Sequence, residues 1–136
     1  MKYEELKNKH ARRINDFPMA FAFSQKQFEE AKQKLGVTDS NELLSIPSGG
    51  MIRKTDKEAY KKLVKILNEE SEEALKDDEY LLSGFIYELG NHEYCITYNP
   101  TDTMDCFGLD VDNIDDRIRK IFAEARKIYL AGCEDY

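Results

Sequence analysis

Apolar residues recur along this chain with two different periods, and the switches between them mark its elements. Tyr3, Leu6, His10 and Ile14 return at intervals of three and four among Lys, Glu and Arg, the spacing of one helix face ending near Asn15 and Asp16. The period then falls to two: Phe17, Met19, Phe21 and Phe23 share one face, with Pro18, Ala20 and Ala22 on the other. That alternation predicts a strand with its Phe face toward the core and Pro18 at a strand start or edge. Ser24 with Gln27 is a capping box, and Phe23 is placed to staple onto Phe28, so a second helix spans 25–35. Gly36 closes it with the left-handed backbone glycine adopts cheaply.

Leu43 to Ile46 and Met51 to Lys54 flank Pro47-Ser48-Gly49-Gly50, which reads as a hairpin with a four-residue loop. A short helix over 41–44 is the competing reading. Thr55 with Glu58 is a second capping box, and Ala59, Leu63, Ile66, Leu67 and Ala74 carry an apolar stripe through a third helix to about Lys76. Asp78 is placed to cap a fourth helix, with Tyr80, Leu81, Phe85, Ile86 and Leu89 as its buried face and Gly90 as its terminator. Residues 93–98, rich in aromatic and β-branched side chains and stopped by Asn99-Pro100, predict a strand. A turn at Met104 to Phe107 precedes a last helix from about Asp112 to Leu130. The order α-β-α-ββ-αα-β-α, without repeat or linker, predicts one α+β domain over 1–136. Its sheet is expected to be small, antiparallel or mixed, of three to four short strands covered by about five helices.

Charge adds an asymmetry that periodicity does not show. Residues 1–65 carry 14 Lys/Arg against 9 Asp/Glu, and residues 66–136 carry 6 against 18, so a chain of net charge −7 divides into +5 and −12. A field of one sign on one part of the surface attracts or repels charged partners. With 136 residues, 41% hydrophobic and 35% charged, the chain can fold around a core under a charged exterior. The N-terminal segment lacks the apolar run of a signal peptide and nowhere do 18 apolar residues follow one another, so a cytoplasmic protein without membrane contact is expected. Cys95, Cys106 and Cys133 are odd in number and widely spaced, as reduced thiols are.

No motif carries a catalytic signature. Gly90-Asn91-His92-Glu93 matches one block of the calcineurin-like metallophosphoesterases, but that two-metal chemistry needs a full set of Asp and His ligands. This chain has only His10 and His92, and a helix end leading into a strand explains the same letters. Asp110 to Asp116 fails as an EF-hand, because Asp115 stands where glycine is needed and Ile121 where the bidentate Glu is needed. Its simpler role is to feed acids into a helix N-terminus. Ser48, Gly49, Gly50, Arg53 and Lys54 place backbone N–H groups beside positive charge, a possible anion site whose spacing is not that of a P-loop. His92 and Cys95 are a weak catalytic pair. Two histidines and scattered cysteines do not supply a closed metal site, so no metal and no cofactor are expected.

Glu69, Glu70, Glu72, Glu73, Asp77 and Asp78 form one acidic cluster, and Asp110, Asp112, Asp115 and Asp116 a second. Such runs are commonly solvated helix faces. Two in one small protein also suit a surface imitating nucleic-acid phosphates, aimed at a basic groove.

From Phe17-Pro18-Met19 through Gly49-Gly50-Met51-Ile52-Arg53-Lys54-Thr55-Asp56 to the segment 87–97, the chain resembles an uncharacterised family of small acidic proteins from phages and Gram-positive bacteria. The resemblance implies a mobile-element context, in which such proteins bind host machinery, but no activity and no functional residues. The expectation is a monomeric, non-enzymatic binding protein, an inhibitor of a host nucleic-acid-handling defence complex that does not itself bind nucleic acid. The alternatives are a small enzyme or ligand-binding domain using the Gly49-Gly50 loop or the His92 turn, and a structural or housekeeping phage protein.

Overall fold

The computed structural model describes residues 1–47 and 49–133. Among them are seven helices and one three-stranded antiparallel sheet, an α+β fold. The chain forms two compact units, one of Met1–Lys9 with Glu69–Tyr136 and one of His10–Asn68. No helix among the described residues is long and apolar enough to cross a membrane.

The 10–68 unit is built on the sheet. β1 (Ala20–Phe21) and β2 (Leu43–Ser45) flank the central β3 (Gly50–Arg53), with Ala20 opposite Met51, Leu44 opposite Ile52 and Ser45 opposite Met51. This register sorts the side chains onto two faces. Met19, Ile46 and Ile52 gather on one face with Phe17, Leu44 and Tyr60; Ala20, Leu43 and Met51 gather on the other with Ala31 and Leu35 of α2 (Gln25–Leu35). α2 is closed as its sequence predicts. Ser24 accepts from the Gln27 N–H, and Gly36 adopts φ 70°. Gln27 reaches back to the Phe23 N–H at 2.7 Å.

The alternation over 17–23 is only partly realised as a strand. Two residues pair, and Phe21 and Phe23 are 47% and 84% exposed, so the four large side chains do not share a buried face and Phe23 stays largely in solvent. The small residues explain the difference. Ala20 is buried against α2, where a larger side chain would hold the helix off the sheet, so the interior lies on both sides of β1. The hairpin forms as expected, Ile46 N–H donating to the Gly50 carbonyl, while the residues before it make a 3₁₀ turn at Ser40–Glu42. Thr55 lies inside another 3₁₀ turn, Lys54–Asp56, and α3 (Lys57–Ala74) starts beyond it.

The other unit is helical. The first turns of α1 (Tyr3–Asp16) contribute Tyr3 and Leu6 to a core centred on α4 (Asp78–Asn91), from which Tyr80, Leu81, Phe85 and Leu89 project. α7 (Asp116–Cys133) packs along α4 and supplies Ile118 and Ala125. Phe107 fills the centre, its ring 4.8 Å from Phe85 and 5.2 Å from Tyr3.

Four boundaries differ from the sequence reading. Asp77, not Asp78, caps α4, accepting from the Glu79 and Tyr80 N–H groups. Gly90 does not terminate that helix, which runs on to Asn91 with His92 as its C-cap. Residues 93–98 are not a strand: Glu93 and Tyr98, both at φ 52°, bracket the four-residue α5 (Tyr94–Thr97). With no partner strand beside it among the described residues, this β-prone stretch is held by packing instead, Tyr94 being buried against the rings of Tyr98 and Tyr129. The last helix starts at Asp116, because Asp115 accepts from the Ile118 N–H at 2.8 Å while Asp110 organises the preceding turn.

Candidate functional site

All ten acids singled out in the sequence lie in the unit of residues 1–9 and 69–136. That unit holds 9 Lys/Arg against 20 Asp/Glu, a net −11, whereas residues 10–68 hold 11 against 7, a net +4. The charge asymmetry of the sequence is thus carried over almost whole into the structural division. Glu69, Glu70, Glu72 and Glu73 occupy the last turns of α3; Asp77 and Asp78 begin α4; Asp110 and Asp112 lie in the turn before α7, which Asp115 and Asp116 open.

Arg117 joins the two clusters. Its guanidinium meets Asp78 Oδ1 at 2.7–2.8 Å and donates to the Leu75 carbonyl at 3.1–3.2 Å, docking the start of α7 against the corner between α3 and α4. Several acids also have local duties: Glu70 faces Lys9 at 3.2 Å, Glu73 faces Lys76 at 3.0 Å, and Asp77 meets the Met1 amine at 2.7 Å. Exposed pairs like these contribute little stability and leave the net charge of the unit unchanged.

The anticipated anion loop, with Gly49, Gly50, Arg53 and Lys54, lies at the hairpin and the turn that follows it. Ser48 lies outside the described residues. The Gly49 N–H donates to the Ile46 carbonyl, and Arg53 Nε is paired with Asp56 at 2.8 Å, leaving Lys54 exposed.

A second constellation is assembled by the fold around α4. α4 is more apolar than α1, α2, α3 or α7, yet its inward face carries Glu88, 2% exposed. A carboxylate at that depth requires partners. The Tyr3 hydroxyl donates to Oε1 at 2.8 Å, and Lys7 Nζ lies 3.5 Å from the same oxygen. Oε2 receives Asn91 Nδ2 at 3.3 Å and the Cys106 thiol at 3.4 Å, and His92 Nε2 stands 3.3 Å from it. Burial pushes the Glu88 pKa up, but hydrogen bonds from Tyr3, Asn91 and Cys106, with the Lys7 charge, outweigh it and hold the carboxyl below its ordinary value. Loss of hydration, then the hydrogen bond to Glu88, pushes the Cys106 thiol up to about 11.

Backbone geometry brings these groups together. His92 follows Glu88 by one helical turn, and the left-handed residues Glu93 and Tyr98 redirect the chain on either side of α5. α6 (Thr101–Asp105) then packs on α4, and Cys106, its C-cap, stands 3.4 Å from His92 Nε2. Left-handed backbone at a non-glycine residue costs on the order of 1 kcal/mol and collects at functional sites. The Glu88-x-x-x-His92 spacing is the one sequence signal of this cluster. Its third member is 14 residues further on, within the turn expected at Met104 to Phe107.

Residues 2–128 match the model of a family of unknown function (DUF7659), and the chain belongs to that family. The match includes both acidic clusters and the Glu88, His92 and Cys106 positions. No curated protein and no solved structure matches the chain.

Proposed function

We propose that this chain is a non-enzymatic binding protein whose acidic unit docks onto a basic surface of a protein that handles nucleic acid. The supporting observation is the meeting of two acidic stretches, 69–78 and 110–116, at Arg117, within a unit of net charge −11. Carboxylates arrayed on helix ends offer a basic groove the charge it is built to receive from phosphates, so the partner is steered electrostatically and nucleic acid competes for the same groove. The resemblance to small acidic proteins of phages and Gram-positive bacteria supports a mobile-element inhibitor of a host defence complex, acting as a cytoplasmic monomer.

The test begins with purification of the partner on the tagged chain, followed by association kinetics at several salt concentrations. The rate is expected to fall steeply with salt and to drop for Glu72→Lys/Glu73→Lys, with stability changed by no more than about 0.5 kcal/mol per site. Added nucleic acid should displace the chain. A partner whose binding is indifferent to salt, to the reversals and to nucleic acid refutes the reading.

A further inference from the structure

We propose that Glu88, His92 and Cys106 form a binding site for one borderline divalent metal ion, of which zinc is the expected occupant. Three ligand atoms of three chemical kinds converge: Glu88 Oε2 and His92 Nε2 are 3.3 Å apart, His92 Nε2 and Cys106 Sγ 3.4 Å, and Cys106 Sγ and Glu88 Oε2 3.4 Å. A tetrahedral zinc ion with bonds of about 2.0–2.3 Å sets its ligand atoms about 3.3–3.6 Å from one another. The triangle is therefore close to the size that one ion spans, without rearrangement of the backbone. Mixed nitrogen, sulfur and oxygen donors favour zinc over magnesium or calcium, which take oxygen ligands.

The surroundings have the form of a metal site. Glu88 keeps Oε2 toward the cluster because the Tyr3 hydroxyl and Lys7 occupy Oε1, the outer support that fixes a ligating carboxylate. His92 and Cys106 are each held at the end of a helix, and the left-handed Glu93 follows directly after His92. Glu88 is buried, His92 half-buried and Cys106 exposed, so the ligands form three corners with the fourth directed toward solvent. Three protein ligands and a water are the arrangement of an open site rather than a closed structural one. Binding exchanges the thiol proton of Cys106 for the metal, and the proton leaves to solvent.

The test is titration of the full chain with cobalt(II), followed by competition with zinc. One equivalent is expected to bind, with the thiolate-to-cobalt charge-transfer absorption and the intense visible bands of tetrahedral cobalt; zinc should abolish both and raise the melting temperature. Cys106→Ser should lose the charge-transfer band, and both Cys106→Ser and His92→Gln should weaken zinc about a hundredfold or more. Tyr3→Phe, which touches only the support of Glu88, should weaken it about tenfold. The Cys95→Ser/Cys133→Ser double variant should bind as the parent does. Because Cys106 is exposed, its serine variant is expected to keep the parent circular dichroism, so loss of metal there is loss of a ligand. Absence of stoichiometric binding, an octahedral cobalt spectrum, or full binding by the Cys106→Ser variant overturns the proposal.

Discussion

Gly84→Ala places a methyl group where the helical unit has no space for one. Alanine in the interior of α4 gains about 1 kcal/mol of helix propensity over glycine, which on its own stabilises. A Cβ at this position, however, would lie 2.6 Å and 2.8 Å from Phe107 Cζ and Cε1 and 2.8 Å from Tyr3 Cδ1. Carbon contacts relax at about 3.5–4.0 Å, so both rings must retreat by roughly 1 Å. Neither is free to do so. Phe107 is packed edge-to-face against Phe85, and Tyr3 is fixed at both ends, its N–H on Ser83 Oγ at 2.9 Å and its hydroxyl on Glu88 at 2.8 Å. Overpacking of this kind costs about 1–3 kcal/mol, and stretching a hydrogen bond to a buried carboxylate forfeits part of a further 1.5–3 kcal/mol. Set against the propensity gain, the expected result is a loss of about 2 kcal/mol, read as a lower urea midpoint at unchanged slope. Gly132→Ala is the control, since nothing lies within 4 Å of its Cβ. Near the end of α7 it should be neutral or stabilising by up to about 0.5–1 kcal/mol. A Gly84→Ala variant as stable as the parent would show that the Tyr3–Phe107 packing is looser than described.

Phe85→Ala, at a fully buried ring, should cost about 3–5 kcal/mol, while Phe21→Ala, at a ring half in solvent, should cost only about 1 kcal/mol; equal losses in thermal or urea melts would contradict the two-sided burial of β1. Asp77 titrates below its ordinary value, chiefly because the Met1 amine bonds to it and then because the Tyr80 N–H does. A carboxyl depressed in the folded state contributes stability that is complete above its unfolded pKa and is lost as pH falls through the folded one. The urea midpoint should therefore decline below about pH 4, and Asp77→Asn, which keeps the cap but not the charge, should soften that decline. Superimposable profiles for the two proteins would refute the assignment.

Local chemistry was legible at α2, though the same kind of signal at Thr55, Asp78 and Gly90 placed helix ends wrongly by one or two residues. Ser24 and Gly36 bound α2 as read, since an N-cap acceptor and a left-handed glycine act within their own turn. The hairpin around Pro47 to Gly50 was legible for the same reason. Residues 93–98 were not, because β propensity is a statement about neighbouring strands, and tertiary packing of Tyr94 supplied helix-compatible partners instead. The Phe17–Phe23 face was misread because alternation tells which residues share a side but not whether both sides are covered. Of the candidate sites, the acids were plain in the sequence, whereas their convergence on Arg117 depends on the packing of α7. The Glu88 cluster was hidden more deeply. His92 gains Cys106 only through two left-handed residues that no side-chain pattern announces.

The acidic unit draws on both ends of the numbering, and this dictates an order of events during synthesis. Residues 10–68 form a compact unit that is continuous in sequence, and units of that kind fold as they are made. Tyr3 and Leu6 must instead wait for α4, with Tyr3 meeting Ser83 and Glu88 across separations of 80 and 85 residues. Contacts this distant in sequence slow folding, because the intervening chain has to be closed before any packing energy is recovered. Tyr3 and Leu6 are thus made before residues 10–68 and settle after α4, and the Glu88 cluster is not complete until they do.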